Sequence, residues 1–158
     1  MKKIRLTKGK SATVDDEDYQ KLRKHRWYFT SHGYAERDKR ISGSPKKLRF
    51  FMHKIIMNTP DNFDTDHING DRLDNRKENL RICLRSENLM NQRKTSSKTS
   101  SRYKGVSWNK KSNKWEVSIK VNYKKHYIGS FLLEYEAAKA YNCAAINLHG
   151  KFSKINSI

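Results

Sequence analysis

Cysteine is scarce in this chain of 158 residues: Cys83 and Cys143 each lie in an apolar pattern, and they form no Cys-x-x-Cys pair. A disulfide framework is excluded, and no zinc site is expected. Proline is equally rare. Pro45 ends the turn sequence Ser42-Gly43-Ser44-Pro45, and Pro60 follows Asn58-Thr59, where it stops the segment before it. No long apolar run or signal-type stretch occurs, so the expectation is a soluble, cytoplasmic protein with no membrane partner. Acidic residues are few, 16 against 35 Lys and Arg, which leaves a formal net charge of +19. Charge of that size points to a polyanion, because phosphate neutralisation supplies most of the non-specific affinity for nucleic acid.

The charge is unevenly spread. Residues 1–52 carry 15 basic against 6 acidic side chains and residues 93–158 carry 14 against 3, whereas residues 53–92 carry 6 against 7. Two basic flanks therefore enclose a near-neutral centre that holds acids. A chain of this length accommodates one domain or two small ones.

The centre is where chemistry concentrates. Asp66 precedes His67, Asn79 follows twelve positions on, and Asn88 nine beyond that. A carboxylate oxygen suits Mg²⁺, which keeps most of its waters and takes one or two protein oxygens. A carboxamide such as that of Asn88 can add a second oxygen. Imidazole, with an ordinary pKa of about 6.5, is suited to general-base work at neutral pH. Metal-assisted attack of water on a phosphodiester fits this set. Locally, 64–67 reads as a short strand, 68–79 as a polar loop turning at Asn69-Gly70-Asp71, and Leu80, Ile82 and Leu84 as the alternating face of a second strand. Ser86 reads as the N-cap of a helix that carries Asn88 in its first turn and runs to about Arg93.

The run from Asp66 to Leu80, Asp-His-Ile-Asn-Gly-Asp-Arg-Leu-Asp-Asn-Arg-Lys-Glu-Asn-Leu, resembles the core of the HNH endonucleases, the phage and intron-encoded homing type in particular. The resemblance implies a ββα-metal fold, with Asp66 and Asn88 as metal ligands, His67 as the base that activates water, and Asn79 as the brace of the loop. It implies Mg²⁺ or another divalent cation such as Mn²⁺, double-stranded DNA as partner, and a phage gene in a bacterial host as one origin. One active centre per chain favours a nick and a monomer or weak dimer. Asp71, Asp74 and Asn75 read as turn residues only.

Upstream, residues 1–52 read as a small α+β extension. A hairpin passes through Lys8-Gly9-Lys10, a short helix follows Asp15 or Asp16, Trp27-Tyr28-Phe29 supplies core, and Lys2, Lys3, Arg37, Lys39, Arg40, Lys46, Lys47 and Arg49 form an exposed basic set. His53 begins the apolar segment Met52-His53-Lys54-Ile55-Ile56-Met57. Packing and contact with the scissile region are equally open for it, since related nucleases also carry His and a basic residue just before the core. His25, His32, His126 and His149 read as surface.

Residues 93–101 read as a polar, basic linker. Beyond it, 102–158 reads as a three-stranded antiparallel sheet packed on one helix. Trp115, Val117, Ile119 and Val121 alternate with Lys114, Glu116, Ser118 and Lys120, Val106 and Trp108 form the inner face of a preceding strand, and a third strand follows a turn at Asn122-Tyr123. Ala137, Ala140, Tyr141, Ala144, Ala145 and Leu148 form the stripe of a helix that stops at Gly150. Tyr103-Lys104-Gly105-Val106, Lys114-Trp115, Ile128-Gly129-Ser130-Phe131, Glu136-Ala137-Ala138, Ala140-Tyr141 and the closing 150–156 resemble the AP2 DNA-binding domain. That likeness implies DNA contact through Lys104, Ser107, Asn109, Lys120, Lys125 and Tyr127. Ser107 and Asn109 stand where arginine is usual, so base preference does not carry over.

The reading is an α+β chain with a nuclease domain over 1–92 (core 53–92), a linker over 93–101 and an AP2-like domain over 102–158. The expected activity is DNA endonuclease, and the competing reading is a DNA-binding regulator with a vestigial nuclease core.

Overall fold

Alternating apolar residues start the chain as a hairpin. In the computed structural model, which describes residues 1–94 and 99–158, β1 (Lys2–Arg5) pairs antiparallel with β2 (Ser11–Val14), and Ile4, Ala12 and Val14 face inward. Lys8 and Gly9, both at positive φ, make the turn. Two compact units follow from the chain's contacts, Met1–Leu84 and Arg85–Ile158.

In the first unit, α1 (Asp16–Leu22) brings Leu22 into the core, where its carbonyl accepts from Trp27 Nε1 at 2.9 Å. β3 (Tyr28–Phe29), β4 (Ala35–Arg40) and β5 (Lys47–Phe51) form an antiparallel sheet in that order. Of the basic residues read as exposed, Arg37 departs. It is half-buried, with its guanidinium 4.6 Å from the Phe50 ring centroid.

The short helix α2 (Met52–Met57) buries Met52 and His53 and ends on Asn58 in the left-handed conformation, ahead of Pro60. The core gathers Ile4, Leu6, Ala12, Val14, Leu22, Trp27, Ala35 and Met52. β6 (Asp64–His67) and β7 (Leu80–Cys83) then form a two-stranded antiparallel ribbon with Asp66 opposite Arg81 and His67 opposite Leu80. The alternation read for β7 does not hold. Leu80 and Cys83 are buried while Ile82 and Leu84 are exposed, because among the described residues no helix or second sheet packs along the whole face of this short ribbon.

In the second unit, α3 spans Arg85–Asn91, so Ser86 lies inside the helix rather than at its cap. Its last turn is held by Lys104, whose Nζ donates to the carbonyls of Met90 at 2.6 Å and Gln92 at 2.7 Å. A cation on orphan C-terminal carbonyls satisfies groups the helix leaves unpaired. Residues 95–98 of the linker read from the sequence lie outside the described residues. β8 (Val106–Asn109), β9 (Lys114–Val121) and β10 (Lys124–Phe131) form the sheet β10-β9-β8, and α4 (Glu134–His149) packs across it. Asn122 and Tyr123, both at positive φ, make the two-residue turn between β9 and β10, the geometry that suits strand twist.

The core here is Tyr103, Val106, Val117, Ile119, Ala137, Ala138, Tyr141 and Ala145. Gly105, at φ +75°, passes directly beneath the Tyr141 ring. Three readings are corrected. The buried stripe of α4 runs through Ala137, Ala138, Tyr141, Ala145 and His149, leaving Leu148 exposed. His149 is therefore a buried residue, its Nε2 2.8 Å from the Lys120 carbonyl oxygen. Trp108 lies on an edge strand, 36% exposed, and stacks edge-on against the half-buried Trp115 at 5.0 Å instead of entering the core.

Candidate active site

The loop from 68 to 79 is an accounting of hydrogen bonds. Closing the β6–β7 ribbon, Ile68 N–H donates to the Asn79 carbonyl at 2.9 Å and Gly70 N–H to that of His67 at 2.9 Å. The Asn79 side chain spans the loop: its Oδ1 accepts from Asn69 N–H at 3.0 Å and its Nδ2 donates to the Asp74 carbonyl at 2.8 Å. Asp74 takes Arg76 Nε and Nη2, each at 2.7 Å, together with Asn69 Nδ2 at 3.0 Å. The Arg76 guanidinium holds the Asp74 carboxyl below the usual carboxylate range. Asp71 makes a local turn, accepting from Leu73 N–H at 3.0 Å. Such short-range bonds fix a polar loop that has no core of its own.

The loop is fastened to the N-terminal hairpin as well. Thr13 N–H donates to the Leu73 carbonyl and Asn75 N–H to the Thr13 carbonyl, both at 2.8 Å, a parallel bridge between β2 and the loop. Lys77 adds a second fastening through its N–H on Asp15 Oδ2 at 2.8 Å and its ammonium on Glu17 at 2.7 Å. Asp15, Glu17 and Asp18 are, among the described residues, the one trio of His, Cys, Asp or Glu with ligand atoms close enough to share an ion, and Lys77 already meets all three.

On this frame Asp66 and His67 are buried, at 6% and 4% exposure. Arg81, opposite on β7, donates to Asp66 Oδ2 from Nε at 2.8 Å and from Nη2 at 2.6 Å. His67 Nε2 lies 3.3 Å from Asn75 Oδ1. The His53 ring stands nearly perpendicular to that of His67, centroids 5.0 Å apart, and Tyr34 packs on both at 5.1 and 6.0 Å. Arg72 lies over the outer face of Tyr34 at 4.8 Å. The site thus brings Asp66, His67, Asn79 and His53 into the first unit, while Asn88 lies on α3 in the second.

Burial, partly offset by the Asn75 contact, pushes the His67 imidazole below its ordinary pKa. His53 is pushed further, to about 3, first by burial and then by the neighbouring His67 and Lys54. Both rings are neutral at pH 7, and neutral imidazole is the form that accepts a proton. His53 has a consequence for stability. Its unfolded form takes up a proton near pH 6.5, whereas the folded form does not until about pH 3. The unfolded state therefore binds more protons in between, and stability is full above about pH 6.5 and falls as pH drops, by up to about 1.4 kcal/mol per unit. Urea unfolding followed through the Trp27 indole resonance is expected to show a loss of about 2 kcal/mol between pH 7.5 and 5. His53→Phe should flatten that slope, and an unchanged slope would assign the effect elsewhere.

A hard divalent cation fits the donors. Asp66 offers a carboxylate whose Oδ2 accepts from Nε and Nη2 of Arg81. Oxygen donors of this kind suit Mg²⁺ or Mn²⁺.

Asn75, Arg81, Tyr34 and Arg72 are the site residues that the sequence did not disclose. Arg81 had a signal, since pairing the two short strands about their loop sets it opposite Asp66. Asn75 had none, being one polar residue among several in a turn-rich loop.

On the second unit's sheet, Ser107, Lys120, Lys125 and Tyr127 lie on the face away from α4, paired in register as Lys120 with Lys125 and Ser118 with Tyr127. Asn109 shares that face but is engaged locally, donating to Glu116 at 2.5 Å and accepting from Lys111 and Ser112 N–H. Lys104 does not join them. Its ammonium is turned to α3, and burial lowers its pKa to about 8.

Taken together, the first unit holds a neutral, buried imidazole directly after a buried carboxylate that Arg81 engages. The sequence profile described as HNH endonuclease matches residues 58–90, the stretch from the end of α2 through both strands and most of α3. An uncharacterized HNH endonuclease of Acanthamoeba polyphaga mimivirus is 30% identical over 155 residues, covering 96% of this chain and 77% of that protein. Protein 3.8 of Escherichia phage T7 is 34% identical over 95 residues, covering 60% of this chain and 77% of its own length. This chain belongs to the HNH endonuclease family.

Proposed function

We propose that the chain is a divalent-metal-dependent DNA endonuclease of the homing type, which nicks duplex DNA at sites chosen by an AP2-like second unit. One observation supports this most: the only imidazole that follows a buried carboxylate along β6, His67, is held neutral inside a loop whose polar groups are spent on fixing its shape. Asp66 and Asn88 are the oxygens that would hold Mg²⁺ or Mn²⁺. Asn88 enters by its position in the matched residues 58–90. Bound there, the ion supplies Lewis-acid polarisation of the scissile phosphate and neutralises charge on the leaving oxygen. His67 removes a proton from water as the water's oxygen bonds to phosphorus, and the P–O bond to the leaving sugar oxygen breaks. Arg81 keeps Asp66 in place through two N–H bonds, and Asn79 keeps the loop closed.

The catalytic module in this reading spans 1–92, and basic side chains of each unit bind DNA phosphates. Lys39, Arg40, Lys46 and Lys47 are exposed at the far end of the β4–β5 hairpin, and Ser107, Lys120, Lys125 and Tyr127 present the second unit's polar sheet face. A sheet face of this kind enters the DNA major groove.

The test is cleavage of supercoiled and host genomic DNA at low salt with Mg²⁺, Mn²⁺ or EDTA. Metal-dependent nicking is expected, with duplex affinity falling steeply as salt rises. Tight, salt-sensitive binding with no cutting of mapped binding sites would move the reading to a regulator with a vestigial core.

A further inference from the structure

We propose that Lys104 is a positioning residue: with Lys94 it closes a clasp that holds the end of α3 to the start of β8, and so keeps in place the helix that carries Asn88. The inference rests on Asn88 being an oxygen ligand of the cation and adds what holds that ligand's helix.

Helix α3 has few means of holding itself. Its seven residues make about two turns, too short a helix to stand alone in water, and the one buried side chain among them is Asn91. Leu89 is 38% exposed. A cavity of about 400 Å³ is lined from α3 by Leu89 and Met90 and from β9 by Ile119 and Lys120. Apolar packing, the usual source of helix stability in a folded chain, is therefore incomplete on this side.

Backbone carbonyls supply the missing hold, in an exchange between two segments. Lys104 Nζ donates to the Met90 carbonyl at 2.6 Å and to that of Gln92 at 2.7 Å. Lys94, just past the helix, sends its own Nζ the other way, to the carbonyls of Tyr103 at 2.8 Å and Val106 at 3.2 Å. Each lysine reaches the main chain beside the other. Burial lowers the pKa of both, that of Lys104 to about 8, as expected of ammonium groups drawn out of water, and two carbonyl oxygens apiece offset that loss. At the end of α3 the charge also faces the negative pole of the helix.

Lys104 is anchored in its turn. The Asn156 side chain brackets its backbone, Oδ1 accepting from Lys104 N–H at 2.7 Å and Nδ2 donating to the Lys104 carbonyl at 3.2 Å. Asn142 of α4 brackets Asn156 in the same manner, with Oδ1 accepting from Asn156 N–H at 2.7 Å and Nδ2 donating to the Asn156 carbonyl at 2.9 Å. A line of polar contacts thus runs from α4 through Asn156 and Lys104 to the last turn of α3. A lysine that serves a DNA phosphate presents its ammonium to solvent, whereas this one is spent on main chain.

Mn²⁺ binding to the full-length protein without DNA, followed by electron paramagnetic resonance, tests the clasp in Lys104→Met, Lys104→Arg, Asn156→Leu and Asn88→Ala, alongside amide hydrogen exchange and duplex affinity in EDTA over a range of salt. Lys104→Met is expected to bind Mn²⁺ about 10- to 100-fold more weakly and to exchange the amides of residues 89–91 about tenfold faster, with duplex affinity and its salt dependence as in wild type. Lys104→Arg, which can still donate to two carbonyls, should recover most of the Mn²⁺ affinity. Asn156→Leu, which releases the Lys104 backbone, should act in the same direction as Lys104→Met. Unchanged Mn²⁺ binding together with weaker duplex binding, its salt slope reduced by about one, would make Lys104 a phosphate contact and overturn the proposal. Weaker Mn²⁺ binding in Asn88→Ala but not in Lys104→Met would leave the ligand standing and overturn the positioning role. Mn²⁺ binding at wild-type strength in Asn88→Ala would instead remove Asn88 from the metal site, and amide exchange in Lys104→Met then decides the clasp by itself. If Lys104→Met does not fold, the same comparisons are read from Asn156→Leu.

Discussion

His67→Ala is expected to lower strand cleavage by about 10²- to 10⁴-fold, the span that a positioned general base contributes, with no loss of duplex binding. The separation of the two effects is what makes the result informative. His67 is 4% exposed and surrounded by Tyr34, His53 and Asn75, so it has little surface to offer a DNA backbone. Removing the ring leaves a gap beside His53, and a companion His67→Gln, closer in size, controls for collapse of that gap. Both variants are measured for nicking of supercoiled DNA with Mg²⁺ and for duplex affinity in EDTA. Cleavage by His67→Ala at the wild-type rate would remove His67 from the mechanism.

Gly105→Ala carries the largest expected effect on stability. An added Cβ would sit 2.1 and 2.2 Å from Tyr141 Cδ2 and Cε2 and 2.7 Å from the Ser118 carbonyl oxygen. None of these can yield cheaply. Tyr141 is buried in the α4–sheet core, and Ser118 is held against Gly105 by its own N–H, which donates to the Gly105 carbonyl at 2.9 Å. Overpacking of this sort costs about 1–3 kcal/mol, and the left-handed backbone at φ +75° adds about 1–2 kcal/mol for a residue with a Cβ. The sum is about 2–5 kcal/mol, a large fraction of what a small domain holds in reserve. Urea unfolding followed through the indole resonances should show Trp108 and Trp115 melting early while Trp27, in the first unit, keeps its midpoint. Adding Tyr141→Leu to Gly105→Ala should recover part of the loss. An unshifted midpoint in the single variant would mean that the ring is not where the close approach places it.

What could be read from the residues and what could not follows from the range of the interactions involved. The Asp66-His67 pair, the loop to Asn79 and the two strands beside it are local in sequence, and each is announced by residue types with few other uses. The three-stranded sheet was legible for the same reason: a strict alternation at 114–121 and a two-residue turn at Asn122-Tyr123. Elements decided by long-range packing were not. The helix α4 carries alanines at 137, 138, 140, 144 and 145, on more than one side. Its stripe can therefore be drawn at several rotations, and only the sheet selects the one that buries Ala138 and His149 and exposes Leu148. Lys104 looked like a DNA contact because nothing nearby announced that carbonyls of α3 would claim its ammonium. Trp108 looked like core because its side chain is large, yet an edge strand has a neighbour on one side only. Asn75 was the hardest of all, since its partner His67 and its anchor Thr13 come from different parts of the chain.

The bridge from Thr13 to Leu73 and Asn75 means that the matched segment is not a portable cassette. Residues 58–90 contain the carboxylate, the imidazole and both strands, but the strand edge on which their loop is hung is contributed by residues 11–14. Transplanted without that edge, the segment would bring its carboxylate and imidazole and leave behind the support of their loop. The first fifteen residues are in this sense part of the construction of the 68–79 loop.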